Sequence, residues 1–86
     1  HQNCGAVKAA VEGAAEPGQI SALYAPLQAA VARGGHDPAV TAKLNARIQA
    51  DILASASTVL AERIHAGKLK IVAGYYELLS GRVAPV

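Results

Sequence analysis

The chain has 86 residues, which is enough for one small domain or a part of one, and a core of this size is marginal without a staple or a partner. With 52% hydrophobic and 16% charged residues it is too apolar for a disordered segment, and it contains no uncharged apolar run of about eighteen residues that would cross a membrane. The net charge of +2 is spread thinly, so no nucleic-acid partner is expected, and the single cysteine excludes an internal disulfide.

The first third of the chain predicts two helices separated by a turn. Residues 6–11 form a helical run that should end near Gly13. Ser21 is a candidate cap for the second helix, which Gly34 and Gly35 should stop. The apolar residues of this second helix recur every fourth position, at Leu23, Leu27 and Val31.

A long third helix should begin at Asp37, because an acidic N-cap followed by proline at the first helical position is a strong start signal. Its apolar side chains repeat every four residues and predict one core-facing stripe, formed by Val40, Leu44, Ile48 and Ile52. Residues 55–58 should break this helix, with Ser57 or Thr58 capping a short fourth helix that ends at Gly67.

The only convincing strand runs over residues 69–76, with its extension to Leu78 left open. A turn at Ser80 and Gly81 and a short return from Arg82 follow it. One strand with a short return cannot satisfy its backbone hydrogen bonds, so we expect the rest of its sheet to come from residues outside this sequence or from another chain. The chain starts at His1 without a signal-peptide pattern, which suggests a mature or cut product. No compartment is indicated, although the cytoplasm is favoured over the periplasm.

His1 and Cys4 form an H-x-x-C pair, and this pair carries the clearest chemistry in the sequence. Imidazole nitrogen and thiolate sulfur are both good zinc ligands, and this spacing lets one turn present both to a single ion. Two ligands do not complete a tetrahedron. The alternative interpretation is a terminal histidine beside a small buried thiol.

The segment around this pair, HQNCGAVKAA at residues 1–10, resembles the second zinc-ligand motif of the β-class carbonic anhydrases. In that family H-x-x-C-G-(A/G)-V-K ends a central parallel strand and opens a helix. Residues 66–78, AGKLKIVAGYYEL, and then SGRV at 80–83 look like the closing strand and hairpin of the same family. The resemblance implies an α/β fold class in which residues 1–86 are the mostly helical C-terminal portion of a single domain, whose parallel sheet exists only in the complete domain.

The resemblance also implies a function, the zinc-dependent reversible hydration of carbon dioxide to bicarbonate by a carbonate dehydratase. His1 and Cys4 match two of the zinc ligands, and Gly5 matches the residue whose backbone amide faces the substrate. The family's first motif, C-x-D-S-R, does not occur in this sequence. We therefore expect the chain alone to be inactive and to need the missing N-terminal half or a second chain, within a homo-oligomer that is a dimer or larger.

Other polar residues have weaker interpretations. Lys8 either lines the substrate entrance or is an ordinary helix-surface lysine, and the latter is favoured. Tyr76 corresponds to a tyrosine of an allosteric bicarbonate site in some members of the family, but the tryptophan and arginine of that site are not in this chain. His36 is expected in a solvated loop, and His65 at a helix C-terminus, where a cation is favoured.

A rival hypothesis needs no metal. The apolar stripes and the unpaired strand both require a partner surface, so the chain would be a non-enzymatic helical assembly module, or an inactive remnant of the family.

Overall fold

A computed structural model describes residues 1–86 and shows a mostly helical chain that ends in a β-hairpin. Four α-helices, one 3-10 segment and two strands follow one another in the order α1 (Gly5–Glu12), 3-10 (Gly18–Leu23), α2 (Tyr24–Arg33), α3 (Pro38–Ala56), α4 (Thr58–His65), β1 (Gly74–Tyr76) and β2 (Val83–Pro85). Strands β1 and β2 pair antiparallel, with Tyr75 opposite Ala84. None of the helices has the length and apolarity needed to cross a membrane.

Most helix ends lie where the sequence predicts them, because the signals there are local. Gly13 ends α1 in the left-handed conformation, with a φ of 68° that costs glycine nothing. Asp37 caps α3: its Oδ1 accepts hydrogen bonds from two backbone N–H groups of the first turn. Ser57 caps α4 by accepting from the N–H of Leu60 at 3.3 Å, and Gly67 follows α4 with a φ of 71°.

Two of the predicted elements are wrong in detail. Ser21 does not cap α2: it lies inside the 3-10 segment, its hydroxyl donates to the carbonyl of Gly18, and α2 begins at Tyr24 without a side-chain cap. The closing strand is shorter than predicted, because β1 covers only Gly74–Tyr76. Residues 69–73 are not in a strand, since a strand needs a hydrogen-bonded neighbour and only β2 is present to supply one.

The predicted apolar stripe of α3 is only partly covered: Leu44 and Ile48 are half-buried, but none of its residues is fully buried. The side of α3 that contacts α1 and α2 is formed by small residues, Thr41 at 0% exposure and Ala42 at 8%. Val40 and Ile52 of the stripe remain 45% and 50% exposed. Small side chains allow two helices to approach closely, so contact with α2 occurs on the Thr41 face and leaves the stripe partly uncovered.

The core is small and joins the two ends of the chain. Its six residues come from α1, α2, α3 and β1, and they are Val7, Ala10, Leu27, Val31, Ala42 and Tyr75. Cys4 is half-buried and packs against this cluster. The Lys43 ammonium lies 4.9 Å from the centre of the Tyr75 ring, a cation–π contact that also joins α3 to β1. The start of α1 is therefore held against the hairpin.

Candidate metal centre

His1 opens the turn at residues 1–4, which we call the donor turn because it carries both predicted metal ligands. The histidine is exposed, and its Nδ1 lies 2.9 Å from the backbone carbonyl oxygen of Gln2. When the proton is on Nδ1, this hydrogen bond fixes the tautomer and leaves the Nε2 lone pair free for a metal ion. This arrangement is compatible with metal binding through Nε2, because the second ring nitrogen bonds to the backbone.

Cys4 closes the donor turn and begins α1. The preceding residue, Asn3, has a φ of 56°, a left-handed conformation that asparagine tolerates better than most residues. Cys4 itself is the N-cap of α1 with extended backbone, and its carbonyl accepts the first helical hydrogen bond from the N–H of Lys8 at 3.0 Å. The left-handed residue Asn3 therefore turns the chain directly into α1.

Gly5 is the first residue of α1 and is exposed. Its N–H belongs to the first helical turn, where the helix itself provides no carbonyl partner. A Cβ at this position would meet no atom within 4 Å, so packing inside this chain does not require glycine. The space beside the Gly5 Cα is therefore open.

A cavity of about 300 Å³ lies where the N-terminal ends of α1 and α3 meet the hairpin. Three residues of the donor turn line it together with residues from α1, α3 and β1, and the lining is Gln2, Asn3, Cys4, Lys8, Asp37, Pro38, Ala39 and Tyr75. Lys8 therefore shares the cavity of Cys4, although its side chain is exposed as a helix-surface lysine would be. Lys8 and Asp37 are the charged residues of the lining.

The chain offers two candidate metal-ligating side chains in the donor turn and no third one beside them. No group of three or more histidine, cysteine, aspartate or glutamate side chains comes close enough to hold a metal ion. His36 is exposed in the loop between α2 and α3, as predicted, and His65 lies in the last turn of α4, so neither completes the pair. His1 and Cys4 are of the residue types that zinc prefers, and two such donors supply at most half of a tetrahedral site.

Tyr76 belongs to β1 and is 43% exposed, and its neighbour Tyr75 is buried, so the two tyrosines face opposite sides of the strand as predicted. A bicarbonate site at Tyr76 stays a prediction. The backbone of Tyr76 has a different contact: its carbonyl accepts a hydrogen bond from the N–H of Gln2 at 2.8 Å. Sequence reasoning missed Gln2, because no local pattern announces a contact between the two ends of the chain.

The family model for carbonic anhydrase matches residues 1–83. The chain belongs to the β-class carbonic anhydrase family. A search of curated proteins and a search of solved structures returned no match. The donor turn, Gly5 and the hairpin up to Val83 all fall inside the matched range, so the family resemblance drawn from the two sequence motifs is confirmed.

The observed fold can be compared with the fold expected of the family. A mostly helical chain with a two-stranded antiparallel sheet is consistent with part of a carbonic anhydrase domain. The parallel sheet expected of the complete domain is not formed by these residues.

Proposed function

We propose that this chain is the C-terminal portion of a single carbonic anhydrase domain that reversibly hydrates carbon dioxide to bicarbonate with the help of zinc. The family match over residues 1–83 supports the reaction class. The observation that carries the proposal is the donor turn, in which one short loop presents Cys4 at a helix N-cap and His1 with its Nδ1 bonded to a backbone carbonyl.

His1 Nε2 and Cys4 Sγ are the atoms that would hold the metal ion. Zinc in such a site is a Lewis acid that makes hydroxide available from water near neutral pH. The chain's own contribution is then to bind and orient the anion. The Gly5 N–H, in the first turn of α1, can donate a hydrogen bond to bicarbonate, and the positive end of the helix dipole favours its charge. Lys8 adds a cation on the wall of the cavity that Cys4 lines.

A second polypeptide segment must supply the remaining zinc ligands, as the incomplete donor set requires. The two-stranded sheet and the partly uncovered stripe of α3 support the same conclusion, since both need a neighbour. This segment is either the other half of the same domain or a second chain. The 86 residues alone are then inactive, and the active form is an assembly, which we propose to be a homo-oligomer of complete domains.

The test uses the protein in its native assembly, supplied with zinc. Native mass spectrometry should show the chain with a further segment and one zinc ion for each donor turn. Stopped-flow hydration of carbon dioxide should fall by more than about 100-fold in Cys4→Ser, because the variant loses a zinc ligand. His65→Gln removes a histidine far from the cavity and should leave the rate unchanged. A zinc-loaded assembly without hydration activity, or with full activity in Cys4→Ser, would contradict the proposal.

A second candidate is a non-enzymatic assembly module, and exposed apolar side chains favour it. Val72 is 70% exposed and Leu79 is 94% exposed, beside the half-exposed Val40 and Ile52 of α3. Such a module would need no metal. Under this hypothesis Cys4→Ser leaves oligomer size and thermal stability unchanged and the purified protein contains no zinc, whereas the enzyme hypothesis predicts that Cys4→Ser loses bound zinc.

A further inference from the structure

We propose that Gln2 is a positioning residue that ties the donor turn to the hairpin and thereby holds His1 and Cys4 in place for one metal ion. The proposal rests on the proposed function, because it assigns a task to a residue between the two metal donors. Gln2 is not itself a ligand, and it acts through its neighbours.

Three polar groups of Gln2 are engaged at once. Its backbone N–H donates to the Tyr76 carbonyl at 2.8 Å, and its side-chain Oε1 accepts from the backbone N–H of Leu78 at 3.0 Å. Its backbone carbonyl oxygen lies 2.9 Å from Nδ1 of His1. One residue therefore connects a metal donor to two positions on the hairpin.

The side-chain bond has a specific consequence for His1. In a parallel ladder, a residue donates its N–H to one residue of the neighbouring strand and accepts, through its carbonyl, from the residue two positions farther on. Gln2 makes the same pair of bonds with Tyr76 and Leu78, but the amide oxygen of its side chain replaces the backbone carbonyl. The backbone carbonyl is thereby free to accept from His1, which sets the tautomer that exposes Nε2.

The hairpin is a suitable anchor because its strand β1 is fixed in the core. Tyr75 is buried in the core cluster, next in sequence to the Tyr76 that bonds to Gln2, and it lines the same cavity as Cys4. Loss of the Leu78 bond would leave the His1 side of the donor turn with one of its two bonds to the hairpin, while Cys4 stays attached to α1. We therefore expect the separation of the two donors, rather than the fold, to become variable.

Substitutions at Gln2 separate the effect of side-chain length from that of the acceptor oxygen. Gln2→Ala removes the side-chain acceptor. Gln2→Asn keeps the amide but is one methylene shorter, so its oxygen cannot reach the Leu78 N–H while the backbone bond to Tyr76 is kept. Gln2→Glu keeps an acceptor oxygen at full length and should restore the contact. The matched control is Ser80→Ala, which removes the Oγ that accepts from Arg82 N–H at 3.2 Å in the same hairpin but does not touch the donor turn.

The experiment titrates the assembled protein with Co²⁺ and follows the thiolate-to-cobalt absorption, using Cys4→Ser to identify the band. Gln2→Ala and Gln2→Asn should bind Co²⁺ about 10–100-fold more weakly than the wild type, which is the usual effect of losing a residue that orients a ligand. Gln2→Glu should bind close to the wild-type level. Ser80→Ala should bind Co²⁺ as the wild type does, even where its thermal stability is lower. Equal Co²⁺ affinity in Gln2→Ala and the wild type would overturn the proposal.

A metal-free measurement separates this proposal from the proposed function. Amide hydrogen exchange at Leu78 should accelerate in Gln2→Ala and Gln2→Asn but not in Gln2→Glu, and the ring resonances of His1 should shift in the same two variants. A wild-type protein without a Cys4-dependent cobalt band would refute the proposed function. The positioning of His1 by Gln2 would then be decided by these resonances alone, and unchanged His1 shifts in Gln2→Ala would refute it.

Discussion

Replacement of Asp37 by alanine is a direct test of how α3, the longest helix, is held at its start. The Asp37 Oδ1 accepts from the N–H groups of Ala39 at 2.8 Å and Val40 at 3.1 Å, and Asp37→Ala removes both bonds together with a carboxylate at the positive end of the helix dipole. Loss of an N-cap costs about 0.5–2 kcal/mol of stability. Because two bonds and a charge are lost together, we expect about 1–2 kcal/mol. For a protein of this size, each 1 kcal/mol lowers the melting temperature by roughly 4–8 °C.

The assay is thermal unfolding followed by far-UV circular dichroism, with Asp37→Asn as the matched variant. Asparagine keeps an acceptor oxygen at the N-cap and is as good a cap as aspartate, so it should lose only the charge contribution, about 0.3–1 kcal/mol. Added salt should reduce the difference between Asp37→Asn and the wild type, since it screens that charge. The reasoning fails if Asp37→Ala melts with the wild type, or if Asp37→Asn is as destabilised as Asp37→Ala.

Three further predictions concern other positions. Gly34→Ala should destabilise the protein by about 1–3 kcal/mol in urea unfolding, because the new Cβ would overlap Oγ1 of buried Thr41 and lie 3.1 Å from its Cα. Asn3→Val should lose about 1–2 kcal/mol, since a β-branched residue is strained at a φ of 56°, whereas Asn3→Gly should lose little. Burial, with the charge of Glu16 second, raises the pKa of the Tyr24 phenol. As the pH rises, the unfolded chain therefore releases this proton before the folded chain does, and the free energy of unfolding falls as the pH passes about 10. Tyr24→Phe lacks this proton, so urea unfolding should show a smaller fall in its free energy of unfolding across the same pH range.

The sequence was most informative where structure is decided within a few residues. The cap at Asp37, a cap at Ser57 or Thr58, the helix end near Gly13 and the left-handed Gly67 all depend on neighbours in the same turn. The structure has all four, with Ser57 as the second cap. The cap predicted at Ser21 failed because a 3-10 segment occupies that position and the side chain bonds backward to Gly18. The apolar periodicity of this region does not distinguish a helix that starts at Ser21 from a 3-10 segment that precedes the helix.

Predictions that depended on packing partners were less accurate. Periodicity assigned Val40 and Ile52 of α3 to the core, yet the helices meet on the Thr41 face. Likewise, residues 69–73 have the composition of a strand but no strand beside them. The sequence of a segment shows which of its faces is apolar, but it does not show which other segment packs against that face.

The candidate site divides in the same way. His1 and Cys4 are three positions apart, so their presentation from one turn could be predicted from spacing and family resemblance. The bond from Leu78 to Gln2 spans 76 positions, and glutamine is not restricted to any one contact in the way that glycine or proline is restricted to certain conformations. The residue that positions the donors was therefore invisible until the fold brought the two ends of the chain together.

A shared metal site has a thermodynamic consequence for assembly. If His1 and Cys4 supply two donors and a second segment supplies the others, then a metal ion binds the assembled form more tightly than the separate chain, and by linkage it strengthens the association by the same factor. Covering the exposed α3 stripe contributes to association whether or not metal is present. With zinc present, the segments of Cys4→Ser should therefore associate more weakly than those of the wild type. Their association affinity should fall to that of the zinc-free wild type and not below it. The apolar surfaces would bring the segments together, and the metal would add stability that depends on Cys4.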